Sequence, residues 1–340
     1  MKKTLLTVLL LITPIALFSQ ETARQLIDNG IALHDQGKYT EALDLYSKAL
    51  AVDKDSDEAL YEMGTTYSAM KDYAKAVEYA DKVIKLDTRL VGQAYLLKGM
   101  NLDYAGKPKD AIAVYKKGMK KVPEFNRLDY ALAVTSYNLK NYKDTEEALK
   151  SSLTKNPLHA SSHYLLATIN SDKRVKSMLA LFNFLILEPT GNRANFAFNT
   201  ISKFQKRGVE IKDDKTINVS INLDNKNDEF SAAEMMLSML EASKNMEENK
   251  SKSDFQIFSE NTKSFFTVLG ELQANNKKKD FWWSFYVGFF YDLAKNEEMY
   301  ETFSYYVYQD VKNTAVETWL ISNKDKVEKF TNWVTAYKRK

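Results

Sequence analysis

No cysteine occurs among the 340 residues, so disulfides, thiolate metal ligands, a cysteine nucleophile and a lipid-modified cysteine are all excluded. Histidine is almost as scarce, with three copies at positions 34, 159 and 163. His159 and His163 could share one helix face, but two ligands without an intervening glutamate do not make a zinc site. The 11 glycines form no phosphate-cradling loop, and no serine stands in a nucleophile elbow. Asp53, Asp55 and Asp57 have the alternation of a calcium loop, yet its sixth position holds Glu58 and its twelfth Gly64, where that loop needs glycine and glutamate. Charge of one sign is also missing: 48 basic side chains face 45 acidic ones, which removes the basic excess of a nonspecific nucleic-acid binder. No catalytic set, cofactor site or metal site is therefore expected.

Long apolar runs are absent too, with one exception at the start. Lys2 and Lys3 precede the run Thr4 to Phe18, broken at Pro14 and followed by Ser19. This reads as a secretory signal over residues 1–19, excluded from the fold. It places the protein in the periplasm or attached to the envelope, with a retained N-terminal anchor as the other reading. Past the leader no stretch is long and apolar enough for a membrane span.

What is present is a period. Gly30, Gly64 and Gly99 stand 34 and 35 residues apart, each followed twelve positions later by alanine at 42, 76 and 111, while Pro123 and Pro157 are again 34 apart. Around these marks recur Leu26, Leu33, Tyr46 and Ala49, then Leu60, Met63, Tyr67, Tyr73 and Val83, then Tyr95, Leu102 and Tyr115. A fourth unit with Tyr130, Leu132, Ala133 and Leu149 substitutes Thr145 for the small residue, which predicts a looser helix contact. A fifth, from Ala160 to Pro189, is two residues short across Asp172 to Lys176. Small residues let paired helices approach while the large ones interlock. Pro108 suits the first turn of a second helix, and Pro123, Pro157 and Pro189 stop second helices.

This pattern resembles the tetratricopeptide repeats. The resemblance covers residues 20–189 and implies an all-α chain, an α-solenoid of helical hairpins whose first helices line a groove. It implies a non-enzymatic adaptor or scaffold that binds a peptide or helix of a partner protein. In well-described peptide-binding members a lysine and an asparagine at the fifth and ninth positions of the first helix clamp a terminal carboxylate. Here those positions hold Ile27 and Ile31, Tyr61 and Thr65, Leu96 and Met100, Tyr130 and Val134, so that clamp is missing and an apolar groove is expected instead. The alternative is that the chain's own C-terminal region covers the strip.

Residues 190–340 read as a second, mostly helical domain. A helix is expected near Asn195 to Lys206, and Val209 to Ile211 could pair with the alternating run Ile217, Val219, Ile221, Leu223 as a hairpin. Ser231 and Glu234 have the spacing of a capping box. All four tryptophans lie in this region, at 282, 283, 319 and 333, amid many phenylalanines and tyrosines. They read either as core or as a stacking surface for glycans or aromatic peptides, with core favoured by the helical spacing of Val327, Phe330, Val334 and Tyr337.

Overall fold

Thr22 starts the first helix: its hydroxyl accepts from the Gln25 amide at 3.2 Å, and the Gln25 side chain accepts in return from the Thr22 amide at 2.9 Å. The computed structural model describes residues 22–213, 216–220, 229–244, 246–275, 280–309 and 311–339. The leader over 1–19 and the strand residues Ile221 and Leu223 lie outside the described residues. No described helix is long and apolar enough to cross a membrane. The chain is an all-α helical repeat fold with one small two-stranded sheet, and it divides into two compact units between Val114 and Tyr115.

The first unit holds α1 (Ala23–Asp35), α2 (Tyr39–Val52), α3 (Asp57–Ala69), α4 (Tyr73–Leu86) and α5 (Val91–Tyr104). Ser56 and Asp72 cap α3 and α4 by accepting the amides of Ala59 and Lys75. Successive helices pack as antiparallel pairs, and α3 also touches both α1 and α5, so the first helices lie side by side. The small residues are necessary: a β-carbon on Gly30 would sit 2.4 Å from the Tyr46 ring, and one on Gly64 would sit 2.8 Å from Leu97. Ala42, Ala76, Tyr46 and Val83 are buried behind them.

The hairpin turns carry a second periodic mark. Gly37, Lys71, Gly106 and Lys140 all adopt positive φ, at 75°, 63°, 74° and 59°. Each turn thus requires a left-handed residue, which glycine supplies without strain and lysine does not. The fifth hairpin, two residues shorter, closes its turn with Lys173 donating to the Asn170 carbonyl at 2.8 Å.

Helix α6 (Pro108–Lys121) begins at the expected proline and spans the unit boundary. The second unit continues with α7 (Arg127–Asn138), α8 (Tyr142–Lys155), α9 (Ala160–Ile169), α10 (Arg174–Leu187) and α11 (Asn192–Lys206). Strands β1 (Val209–Asp213) and β2 (Thr216–Val219) pair antiparallel, Val209 opposite Val219 and Ile211 opposite Ile217. Then follow α12 (Ser231–Ser243), α13 (Asp254–Asn275), a π-helical segment over Trp282–Val287, α14 (Gly288–Lys295), α15 (Glu297–Tyr308), α16 (Thr314–Ser322) and α17 (Lys324–Ala336).

The boundary expected at residue 189 falls inside this unit. The reason is α10, whose residues from Ser177 to Ile186 are all buried because α9, α11, α12, α15 and the π-segment surround it. Phe182 at its centre meets the rings of Phe266, Phe303, Phe290 and Phe258 at 5.3, 6.0, 6.1 and 6.4 Å. A helix apolar on every side needs cover on every side. Arg174 at its start is buried as well and donates to the Glu234 and Gln205 carbonyls and the Ser238 hydroxyl, tying α10 to α11 and α12.

Thr145 is fully buried, and its hydroxyl donates to the carbonyl of the cap residue Asn141 at 2.8 Å, which satisfies the extra polar group. One local expectation changes. Helix α12 starts at Ser231, with Phe230 rather than the serine in the cap position. Phe230 is buried and stacked on Trp283 at 4.6 Å, and that contact sets where the helix begins.

Candidate interaction surface

The first-helix faces of unit 1 place six of the eight expected groove residues. Ile27 and Leu96 are only 3% and 7% exposed and belong to the packed interior. Ile31, Tyr61 and Thr65 are half-buried, and Met100 is 37% exposed, one turn before the more open Tyr104. The period predicts which positions share a face. It does not separate the inward half of a face from the open half, since one turn decides that.

This face is more polar than the apolar strip expected. Arg24 makes two 2.8 Å bonds to Glu58, its counterpart one repeat later, and also pairs with Asp28. His34 Nδ1 lies 2.8 Å from the Thr66 hydroxyl, again joining α1 to α3. Burial raises the Glu62 carboxyl, and the Thr65 hydroxyl donates to it at 3.2 Å. The arrangement therefore offers half-open isoleucine, tyrosine and methionine beside an ionic edge. A repeat-to-repeat comparison of second positions, Arg24 against Glu58, is the sequence signal that could have found that edge.

In unit 2, Tyr130 packs edge-on against His159 at 4.7 Å, and Val134 is half-buried. One repeat further on, Tyr164 is half-buried against this chain's own residues. Phe184 and Phe196 approach it at 5.0 and 6.3 Å, and the Arg193 guanidinium lies 5.5 Å from its ring while pairing with Glu188. Packing by α10 and α11 thus reaches the edge of Tyr164 on α9.

Most C-terminal aromatics are interior. Trp282, Trp283, Tyr286, Phe289 and Phe290 are buried, and the polar atoms of the first three are engaged. Trp282 Nε1 donates to Glu146 at 3.3 Å and Trp283 Nε1 to Glu229 at 2.8 Å, while Lys150 and Lys176 neutralise those carboxylates. Burial acts to raise the Glu146 carboxyl, but the Lys150 hydrogen bond and charge outweigh it and bring the carboxyl below its usual range. Trp319 stacks face to face on Tyr305 at 4.0 Å, and both remain half-buried.

The histidines and acids singled out by spacing have structural partners. His163 is fully buried between the Tyr286 hydroxyl at 2.8 Å and the Pro157 carbonyl at 2.9 Å. Burial pushes its pKa down to about 3. His159 bonds the Ser162 hydroxyl at 2.7 Å. Asp53 accepts from the Asp55 amide within the turn before α3. Among the described residues no cluster of three or more histidines and acids could hold a metal ion.

Two family models match the chain: one described as TPR repeat over residues 30–71, and one described as tetratricopeptide repeat over residues 57–89. A TPR repeat-containing protein of Methanocaldococcus jannaschii is 30% identical over 111 residues, which are 33% of this chain and 19% of that protein. The BBSome complex member BBS4 of Bos taurus is 27% identical over 147 residues, 42% of this chain and 27% of its own length. The chain therefore spans well under a third of either relative. Among solved structures, the type IV pilus biogenesis factor PilW superposes with a TM-score of 0.44 at 14% identity, over 56% of this chain and 93% of that one.

Proposed function

We propose that this chain, a member of the tetratricopeptide-repeat proteins through its N-terminal helical hairpins, is a non-catalytic scaffold of the cell envelope that takes a peptide or helix of a partner protein on the first helices of its repeats. The observation carrying this reading is the half-open state of Ile31, Tyr61, Thr65 and Met100 on adjacent first helices, while the opposite faces of those helices are packed. Apolar side chains that keep solvent contact on a rigid, preformed face provide a docking strip without a folding penalty. The ionic edge at Arg24 and Glu58 fixes the register of an amphipathic occupant. Placement in the envelope rests on the basic-then-apolar leader of residues 1–19.

Crosslinking in the native envelope, followed by identification of captured proteins, tests the reading. Tyr61→Glu and Met100→Glu are expected to abolish capture of the specific partner and leave helix content intact. Capture that persists in the double variant overturns it.

A further inference from the structure

Unit 2 contains a cavity of about 730 Å³ between the turn joining α8 to α9, the π-segment and the C-terminal residues after α17. One wall is cationic, formed by Arg339 and Lys338, and another is apolar, formed by Leu158 and Phe281. Asn156 adds a polar side chain whose amide oxygen is already taken by the Leu158 backbone amide at 3.1 Å.

Like the buried Arg174, Arg339 has no carboxylate partner among the described residues, and of the two it is Arg339 that lines this cavity. The half-buried Lys155, Lys150 and Lys176 of this unit pair with Asp129, Glu146 and Glu229. Arg339 instead donates to the Phe285 carbonyl at 2.7 Å and to the Asn183 side-chain oxygen, both neutral. Its guanidinium lies against two ring faces, 4.3 Å from Phe285 and 4.2 Å from Phe289. Among the described residues no carboxylate pairs with it, and Asp292, on α14, is engaged by the Tyr337 hydroxyl at 2.7 Å. The Phe285 carbonyl that Arg339 reaches lies within the π-segment.

A guanidinium held rigidly by neutral acceptors and aromatic faces keeps its full charge at the cavity wall, where the low dielectric strengthens its pull on an anion. Apolar surface facing that charge selects an anion with an apolar body. We infer that this cavity binds an apolar ligand ending in a carboxylate, the carboxylate set against Arg339 and Lys338 and the apolar part against Leu158 and Phe281. Two sources supply such a group, the C-terminal residue of a peptide or a free medium-chain acid. The inference stands apart from the first-helix reading, which concerns different elements.

The test is calorimetric titration of the full chain with four probes: an N-acetylated tripeptide ending in leucine, its C-terminal amide, octanoate and octanol. At least one carboxylate is expected to bind, and the matching amide or alcohol to bind about tenfold more weakly or not at all. Arg339→Gln is expected to weaken the carboxylate by about tenfold, as expected for a charge-assisted bond. Because Arg339 also fastens the π-segment, Thr335→Phe and Lys338→Glu serve as second variants. The first fills the cavity and the second reverses a wall charge, and both sites are exposed. Loss of binding in these variants with unchanged tryptophan fluorescence supports the site. Binding by the peptide alone assigns a protein terminus, and binding by octanoate alone assigns a free acid. Equal affinity for acid and amide, no binding of either acid, or binding unaffected by all three variants overturns it. Tyr61→Glu should leave every titration unchanged, which keeps failure here separate from failure of the groove.

Discussion

Unit 1 and the first two hairpins of unit 2 are written in the same repeat code and end in different states. In unit 1, Gly30, Ala42, Gly64 and Ala76 bring helices together in pairs and leave half of each first-helix face in contact with solvent. In unit 2 the second helix of the last hairpin, α10, becomes the centre of an aromatic core, while the first-helix residue Tyr164 stays half-buried against Phe184 and Phe196. A helical hairpin therefore serves as an open surface or as a nucleus depending on what its outer faces carry. Where those faces are mixed they stay open; where they read Met178, Leu179, Leu181, Phe182, Phe184 and Leu185 in one helix, the chain must wrap them.

The largest expected effect tests that contrast at its centre. Phe182→Ala should destabilise unit 2 by about 3–5 kcal/mol, because it leaves a ring-sized cavity among four other rings. All four tryptophans report on unit 2, so denaturant unfolding followed by their fluorescence reads it directly. Amide protection in α1 to α5 is expected to stay as it was, and equal loss in both units would erase the distinction. The mirror experiment is Gly30→Ala, which pushes a methyl into the Tyr46 ring and should cost about 1–3 kcal/mol. Its readout is amide exchange in α1 and α2, with tryptophan fluorescence unmoved.

A pH dependence separates the units further. His163 is neutral in the folded state, with its pKa lowered by burial to about 3, whereas an unfolded histidine titrates near 6.5. Below pH 6.5 the unfolded chain takes up a proton that the folded chain refuses, so stability falls as pH drops from about 6.5 towards 3. At pH 5 the loss should be about 2 kcal/mol. His163→Gln should flatten the slope of unit 2 stability over this window; an unchanged slope would assign it to other groups. The smallest effect lies in the turns. Lys71→Gly and Lys140→Gly relieve a positive φ and should each add up to about 1 kcal/mol, measured by the denaturation midpoint. The same change at Lys173, in the short fifth turn, should add nothing.

Several elements were legible from residue spacing. The prolines at 108, 123, 157 and 189 mark helix ends as expected, and Val209 to Ile211 pairs with Ile217 to Val219 as a hairpin. Other features depend on partners far away in sequence. The capping-box spacing at Ser231 and Glu234 is outweighed by Phe230 packing on Trp283, 53 positions on. The π-segment carries no spacing signature of its own; it is held by Gln273 donating to the Trp283 carbonyl at 2.8 Å and by Arg339 at Phe285. Among the expected groove residues, Ile27 and Leu96 could not be told from Tyr61, because all three occupy the fifth position of a first helix and only the neighbouring helix decides which is enclosed.

What the amino-acid order determined by itself is the unit that repeats: a 34-residue pair of helices, the small residues where they touch, and the proline or left-handed turn where each stops. These are local properties, set by sterics within a helix or between chain neighbours. Only the tertiary structure decided where the repeats cease to be a surface and become a core, and which cation was left facing a cavity without an acid beside it. Both follow from contacts between segments separated by up to 156 positions, as in the bond from Arg339 to Asn183, and such contacts are chosen by the burial of the whole unit.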